Sequence, residues 1–139
     1  FACAVWSDPG IVFDDSRRDI NYWEPWYLGW HPRPWRKRGM ITEQNPAKGL
    51  YPELMAEGYN LQELHALMAP RPFLVSGGAE DTPERWTALN HTIKVNSLLG
   101  YKNRVGMTNR PMHAPTAASN EMAYLFFEYF LEPWETGES

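Results

Sequence analysis

Three short, largely apolar runs along the chain, each closed by turn-forming residues, predict three β-strands. They cover residues 1–8 (FACAVWSD), 71–78 (RPFLVSGG) and 103–109 (NRVGMTN). Apolar runs of about four to eight residues between turn signals are typical of strands buried on both faces. We therefore expect these runs to pair with one another in the interior of a sheet.

The segments between and after these runs predict helices over residues 60–69, 82–100 and 116–131, the last with a heavy aromatic face. Asn60 and Glu63 are spaced as a capping box at the start of the first helix. Thr82 is the expected N-cap of the second helix, and Gly100 is its expected stop. Four apolar residues of the second helix keep roughly helical spacing and predict a face against the sheet: Trp86, Leu89, Ile93 and Leu98.

The order of these elements indicates the fold class. After residue 59 the chain reads helix, strand, helix, strand, helix. Strands that alternate with helices pair in parallel, because the crossover helix returns the chain to the same end of the sheet. The sequence therefore predicts an α/β fold with parallel strands and helices on both faces.

Residues 9–59 lack a sustained period, and we interpret them as a long insertion with at most short helices. Loops of this length inside a compact domain are usually functional. The insertion is rich in aromatic residues: Tyr22, Trp23, Trp26, Tyr27, Trp30 and Trp35. They could form a small satellite core, or some could stack on a sugar ring beside an arginine that pairs a uronate carboxylate. The basic run at 33–38 (RPWRKR) is interpreted as a solvated loop, with contact to an acidic polysaccharide as the alternative.

Composition excludes some function classes. The 139 residues are 43% apolar and 14% aromatic, which predicts one domain or less around one core. The formal charge of −4 argues against a nucleic-acid-binding protein. No apolar stretch reaches the roughly 18 residues of a transmembrane helix, so no membrane span is expected. The chain begins with Phe1 inside an apolar run, and we expect it to be a piece of a longer protein.

Titratable residues follow each predicted strand, at the edge where α/β sheets collect reacting groups. Asp8 follows the first strand, Glu80 and Asp81 follow the second, and His113 follows the third. Glu80 is the nearest rival of Asp81 for the role of the acid. One helix and one strand separate Asp81 from His113, so both are expected at the same edge. A carboxylate there can hold the Nδ1 proton of the imidazole and leave Nε2 as the base for a nucleophile.

These residues also have purely structural interpretations. His113 could cap the last helix, Asp81 could be the N-cap of the helix that follows it, and Asp8 could start a turn. The other histidines lack the H-E-x-x-H spacing of a metal site, so no metal is expected, and we interpret them as surface or helix residues: His31, His65 and His91.

The stretches APRPFLVSGGAED (69–81) and NRPMHAPT (109–116), with the helix between them, resemble the last third of an α/β-hydrolase. More narrowly, they resemble bacterial carbohydrate esterases such as the glucuronoyl esterases and acetyl xylan esterases. FACAVWSDPG (1–10) is similar to the preceding strand of that fold, and RRDINYWEPWYLG (17–29) to a substrate-side insertion after it. The resemblance implies that the whole chain, 1–139, is the C-terminal part of such a domain.

The resemblance also implies a Ser-His-Asp triad with Asp81 as the acid and His113 as the base. Some glucuronoyl esterases place the acid after the earlier strand, which makes Asp8 the alternative acid. No cofactor is implied, the substrate is a carbohydrate ester or polysaccharide, and a periplasmic or secreted location is suggested. The implied substrate-binding residues lie in the insertion: Arg17, Arg18, Trp23, Glu24 and Trp26.

The chain departs from this family at the nucleophile. The serine of the fold sits on a G-x-S-x-G turn, and that motif does not occur in the 139 residues. Ser76 lies inside a predicted strand, so we expect the nucleophile to be encoded before Phe1 and the isolated chain to be inactive and poorly folded. The expected function is serine-dependent hydrolysis of a glucuronoyl or acetyl ester of a carbohydrate. The alternatives are a prolyl oligopeptidase-like serine peptidase and a non-catalytic, carbohydrate-binding relative.

Overall fold

The computed structural model describes residues 1–7, 34, 36–37, 42–79 and 81–131. The described elements, in chain order, are β1 (Ala4–Ser7), α1 (Leu50–Ala56), α2 (Leu61–Ala66), β2 (Phe73–Gly77), a 3₁₀ helix (Pro83–Leu89), α3 (Asn90–Leu98), β3 (Val105–Asn109) and α4 (Ala117–Leu131). The chain divides into two compact units: Phe1–Val12 together with Leu61–Ser139, and Phe13–Asn60.

The three strands of the first unit form one parallel sheet in the order β1-β2-β3. In one row across the sheet, Ala4 pairs with Phe73, which pairs in turn with Val105. Parallel neighbours need a crossover segment, and between β2 and β3 it consists of the 3₁₀ helix and α3. The predicted α/β class with parallel strands and flanking helices is confirmed.

The core lies around β2, whose five residues are all buried. Because successive strand residues point to opposite faces, burial of all five means that both faces of this strand are covered. On one face, Phe73 and Val75 pack with Met68 and Leu89 in the hydrophobic core cluster. The sheet is therefore anchored by its central strand.

His65 of α2 is part of the same packed region. It is 4% exposed, and its ring centroid lies 4.9 Å from that of Trp6 and 6.0 Å from that of Phe73. Its Nδ1 has no hydrogen-bond partner among the described residues. Burial lowers the pKa of His65 to about 4, and the charge of Glu63 opposes that shift in part. His65 is a helix residue, as interpreted from the sequence, but it is also a core residue, which the sequence did not indicate.

The segment predicted as one helix over 82–100 is a 3₁₀ helix followed by α3. Both predicted ends are confirmed, since Thr82 occupies the N-cap position and Gly100, with a φ of 84°, follows the C-cap residue of α3. A left-handed φ of this kind suits glycine, which has no Cβ to clash. The chain therefore stops the helix where the sequence predicts.

The predicted apolar face of this segment is wrong. Leu89 is buried, but three of the four residues are exposed: Trp86, Ile93 and Leu98. The interior positions of α3 belong to Thr92 and Asn96 instead. A 3₁₀ helix has about 3.0 residues per turn against about 3.6 in an α-helix, so the opening 3₁₀ turns shift which residues face the interior.

Helix α4 begins one residue after the predicted start at Thr116. The Thr116 backbone N–H donates to Ser119 Oγ at 2.9 Å, and the Ser119 N–H donates to Thr116 Oγ1 at 3.1 Å. This reciprocal pair is a capping box that fixes the first turn of the helix. The predicted aromatic surface includes Phe126 and Phe130, whose ring centroids are 4.8 Å apart.

The described part of the second unit contains α1 and an antiparallel bridge between Thr42 and Asn45. Helix α1 has seven residues, so the described part of 9–59 agrees with the expectation of at most short helices. Arg36 is buried, and its guanidinium donates to the backbone oxygens of Asn45 and Pro46, both at 3.3 Å. The interpretation of 33–38 as a solvated loop is therefore wrong for Arg36.

Candidate functional site

The candidate site lies at the carboxyl edge of the sheet, where β1 ends at Ser7, β2 at Gly77 and β3 at Asn109. Because all three strands are parallel, these ends share one edge. Asp81 and His113 each follow the end of their strand by four residues (81 − 77 and 113 − 109). The structure therefore brings the loops that carry the predicted acid and base to adjacent strand ends.

Asp81 is 0% exposed. Its backbone N–H donates to Gly78 O at 3.0 Å, and its carbonyl oxygen accepts from the side-chain amide of Asn109, the last residue of β3. Thr82 occupies the N-cap position of the 3₁₀ helix, so the alternative interpretation of Asp81 as that N-cap is wrong. The backbone of Asp81 is thus held against the ends of both β2 and β3.

His113 lies in an exposed turn, and the side chains of residues 111–115 are all exposed. The carbonyl oxygen of His113 accepts a hydrogen bond from Arg110 Nη2 at 2.6 Å. The capping of α4 is supplied by Thr116 and Ser119, so the helix-capping interpretation of His113 does not describe how that helix begins. The imidazole therefore belongs to an exposed turn, and the strand that leads to it is paired with the strand that leads to the buried Asp81.

Arg110 joins these two loops and received no role from the sequence. It is 4% exposed, and its backbone N–H donates to Gly77 O at 2.9 Å. Its Nη1 donates to Ser76 O at 2.7 Å, to Ser76 Oγ at 3.1 Å and to Gly77 O at 3.3 Å. Its Nη2 also contacts Ser7 Oγ at 3.2 Å, and its Nε donates to Ala114 O at 3.0 Å. The one feature of the sequence that could have pointed to Arg110 is its position directly after a predicted strand.

Gly77 allows the loops to approach one another. A Cβ atom at this position would lie 3.0 Å from Asp81 O, 3.0 Å from Thr108 O and 2.9 Å from Met107 Cε. Two of these atoms are backbone oxygens, which have little freedom to move away. The absence of a side chain at Gly77 is therefore a condition for the position of the Asp81 backbone.

Ser76 is buried, and its hydroxyl accepts from Arg110. A nucleophile must be free to reach the substrate, so this geometry agrees with the sequence-based rejection of Ser76.

Glu84 lies in the first turn of the 3₁₀ helix that follows Asp81. The pKa of its exposed carboxylate is lowered, because its own backbone N–H and the Thr82 hydroxyl hydrogen-bond to the charged form.

Several predicted site residues lie outside the described residues. These are the alternative acids Asp8 and Glu80, together with the substrate-binding candidates Arg17, Arg18, Trp23, Glu24 and Trp26. Their roles stay predictions.

The described part of the chain contains no group of three or more His, Cys, Asp and Glu side chains arranged to hold a metal ion. Among the described helices, none is both long enough and apolar enough to cross a membrane.

We compared the chain with known proteins. No protein-family model matches it, and neither a curated protein nor a solved structure does.

Proposed function

We propose that this chain supplies the acid and base of a serine hydrolase with an α/β-hydrolase fold that cleaves a carbohydrate ester. In this proposal His113 is the general base, Asp81 orients it, and the nucleophilic serine comes from outside the 139 residues. The absence of a G-x-S-x-G motif in the sequence is the reason for placing the serine elsewhere.

The observation that carries the proposal is that a fully buried aspartate and an exposed histidine turn follow neighbouring parallel strands. Asp81 is 0% exposed, His113 is exposed, and each follows its strand by four residues (81 − 77 and 113 − 109). A triad needs this division, since its acid works from the interior while its base must reach both the nucleophile and the substrate. A buried carboxylate must be hydrogen-bonded to be tolerated, and an imidazole N–H is a donor suited to that role.

The chemistry follows from these roles. Nε2 of His113 takes the proton of the serine hydroxyl as Oγ attacks the ester carbonyl, and a tetrahedral oxyanion forms. The imidazolium then gives that proton to the departing alcohol oxygen, which leaves an acyl-enzyme. A water molecule repeats the sequence in reverse: His113 takes its proton, the acid product leaves, and the proton returns to the serine.

The carbohydrate part of the proposal is supported by the insertion at 9–59. It carries six aromatic residues between Tyr22 and Trp35, and the Arg17-Arg18 pair lies just before them. Aromatic faces stack on the apolar face of sugar rings, and arginine can bind a uronate carboxylate in bidentate fashion. The sugar rings of carbohydrate esters offer such apolar faces, and cleavage of a glucuronoyl ester releases the free uronate carboxylate.

The proposal is tested with the full-length protein on a panel of an acetylated xylo-oligosaccharide, a benzyl ester of glucuronic acid and a proline-containing peptide amide. We expect turnover of at least one ester, and we expect His113→Ala to lower kcat/KM by roughly four to six orders of magnitude. His91→Ala, a histidine of α3, is the matched control and should keep wild-type activity. Ester turnover that survives His113→Ala would exclude His113 as the base.

The same assay identifies the acid. Asp81→Asn preserves side-chain size and should lower kcat by roughly 10⁴-fold, because the asparagine amide cannot stabilise the imidazolium. Glu84→Gln removes an exposed carboxylate from the first turn of the 3₁₀ helix that follows Asp81 and should change little. A loss in Asp8→Asn with none in Asp81→Asn would transfer the acid role to Asp8, and turnover of only the peptide amide would favour the peptidase alternative.

A further inference from the structure

We propose that Arg110 is the positioning residue of the His113 turn. Its guanidinium fixes the backbone of that turn relative to the ends of β1 and β2, and so sets where the imidazole stands. The inference deepens the proposed function and rests on it, because the place of the turn matters to catalysis only if His113 is the base.

The hydrogen bonds of Arg110 divide into two groups. Toward the sheet, the guanidinium donates to Ser7 Oγ, Ser76 O and Oγ, and Gly77 O. Toward the turn, it donates to His113 O at 2.6 Å and to Ala114 O at 3.0 Å. One planar group therefore connects two strand ends with both backbone carbonyls at the centre of the turn.

Burial of apolar side chains contributes little to holding this turn in place. All five side chains of residues 111–115 are exposed, so the turn gains little from burial of apolar surface. Segments with few buried contacts open easily unless hydrogen bonds fix them. The two bonds from Arg110 to the turn are both half-buried, and hydrogen bonds from a charged donor are roughly twice as strong as those between neutral groups.

The choice of arginine supports a geometric role. Burying a charge is costly, and among the described residues no carboxylate forms an ion pair with Arg110. All its guanidinium acceptors are neutral carbonyl or hydroxyl oxygens. Arginine is the side chain that offers five N–H donors in one rigid plane, whereas lysine offers three from a single atom. A lysine here could not bond to β1, β2 and the turn at once.

The test compares Arg110→Met and Arg110→Lys with Arg104→Met in the full-length protein. Arg104 lies just before β3, at the other end of the same strand, and its guanidinium stacks on Tyr101 at 5.1 Å. We expect both Arg110 variants to lose roughly 100-fold in kcat with KM nearly unchanged, since displacement of a catalytic group by about 1 Å costs about that much. Arg104→Met should leave both constants near those of the wild type.

A second readout does not depend on activity. With ¹³Cε1-labelled histidine, we expect one narrow imidazole resonance for His113 in the wild type and a broadened or doubled one in both Arg110 variants. Unchanged kcat together with an unchanged resonance would overturn the positioning role, and so would unfolding of both variants, since Arg110 would then support the whole fold. A disturbed resonance in a protein whose His113→Ala variant keeps full activity would support the positioning of the turn and reject the catalytic proposal.

Discussion

At the scale of single residues, the buried His65 makes stability depend on pH. Burial lowers its pKa to about 4, whereas an unfolded histidine titrates near 6.5. Between these values the unfolded chain binds the proton and the folded chain does not. The stabilising contribution is therefore fully present above about pH 6.5, falls as the pH drops toward 4 and is absent below. The difference of about 2.5 pKa units corresponds to an upper limit of about 3 kcal/mol.

Urea unfolding of the full-length protein between pH 4 and 7 measures this effect. His65→Phe keeps an aromatic ring beside Trp6 and Phe73 and removes the titrating group. We expect the variant to lose less stability than the wild type on acidification, by up to about 3 kcal/mol. His91→Phe is the control and should retain the wild-type pH dependence. Parallel curves for the wild type and His65→Phe would contradict the assigned cause.

The sequence could predict some site residues and not others. Asp81 and His113 could be placed at one edge because both follow strands separated by one crossover helix. Arg110 could not be assigned a role, since its bonding partners Ser76 and Ser7 are 34 and 103 residues away. His65 shows the same limit, because its burial depends on rings from β1 and β2 that no local pattern reveals.

At the scale of elements, the junction of β2 and β3 depends on Gly77. In Gly77→Ala, the new Cβ would press on the backbone oxygens of Asp81 and Thr108, each 3.0 Å away. Overpacking of this kind destabilises by about 1–3 kcal/mol. We expect thermal unfolding of the full-length protein to show that loss, accompanied by a lower kcat, because the Asp81 loop must shift.

Gly106→Ala is the matched control within β3. Its Cβ would meet only Leu74 Cδ1, at 3.5 Å, which is an ordinary van der Waals contact. We expect its stability to stay within about 1 kcal/mol of the wild type and its kcat to be unchanged. Equal effects of the two substitutions would show that close approach at Gly77 does not set the position of the loop.

The ends of helices could be predicted where the sequence carries a local signal. Which side of a helix is buried could not be predicted. Thr82, Gly100 and Thr116 mark helix ends in the sequence and in the structure. The face of α3 was mispredicted, because nothing local distinguishes a 3₁₀ opening from an α-helical one, and the shorter repeat moves Thr92 and Asn96 to the interior. Leu98 was predicted to lie on the buried face and is 88% exposed.

At the scale of the molecule, the alternation of helices and strands predicted the α/β class and the parallel order, because the crossover rule leaves few other topologies. The hydrolase topology and its chemistry stay proposals that rest on the carboxyl edge. Of the described strands, β2 is buried along its whole length. Five apolar residues of α4 are exposed: Met122, Tyr124, Leu125, Tyr129 and Leu131.

The central claim is that His113 activates a serine that these 139 residues do not contain. Reaction of the full-length protein with a fluorophosphonate tests it directly, since an activated serine displaces fluoride from phosphorus and retains the phosphonyl group. We expect stoichiometric labelling of a serine outside the 139 residues in the wild type, and labelling slower by at least about 10³-fold in His113→Ala. Equal labelling rates in the two proteins, or labelling of Ser76, would contradict the account.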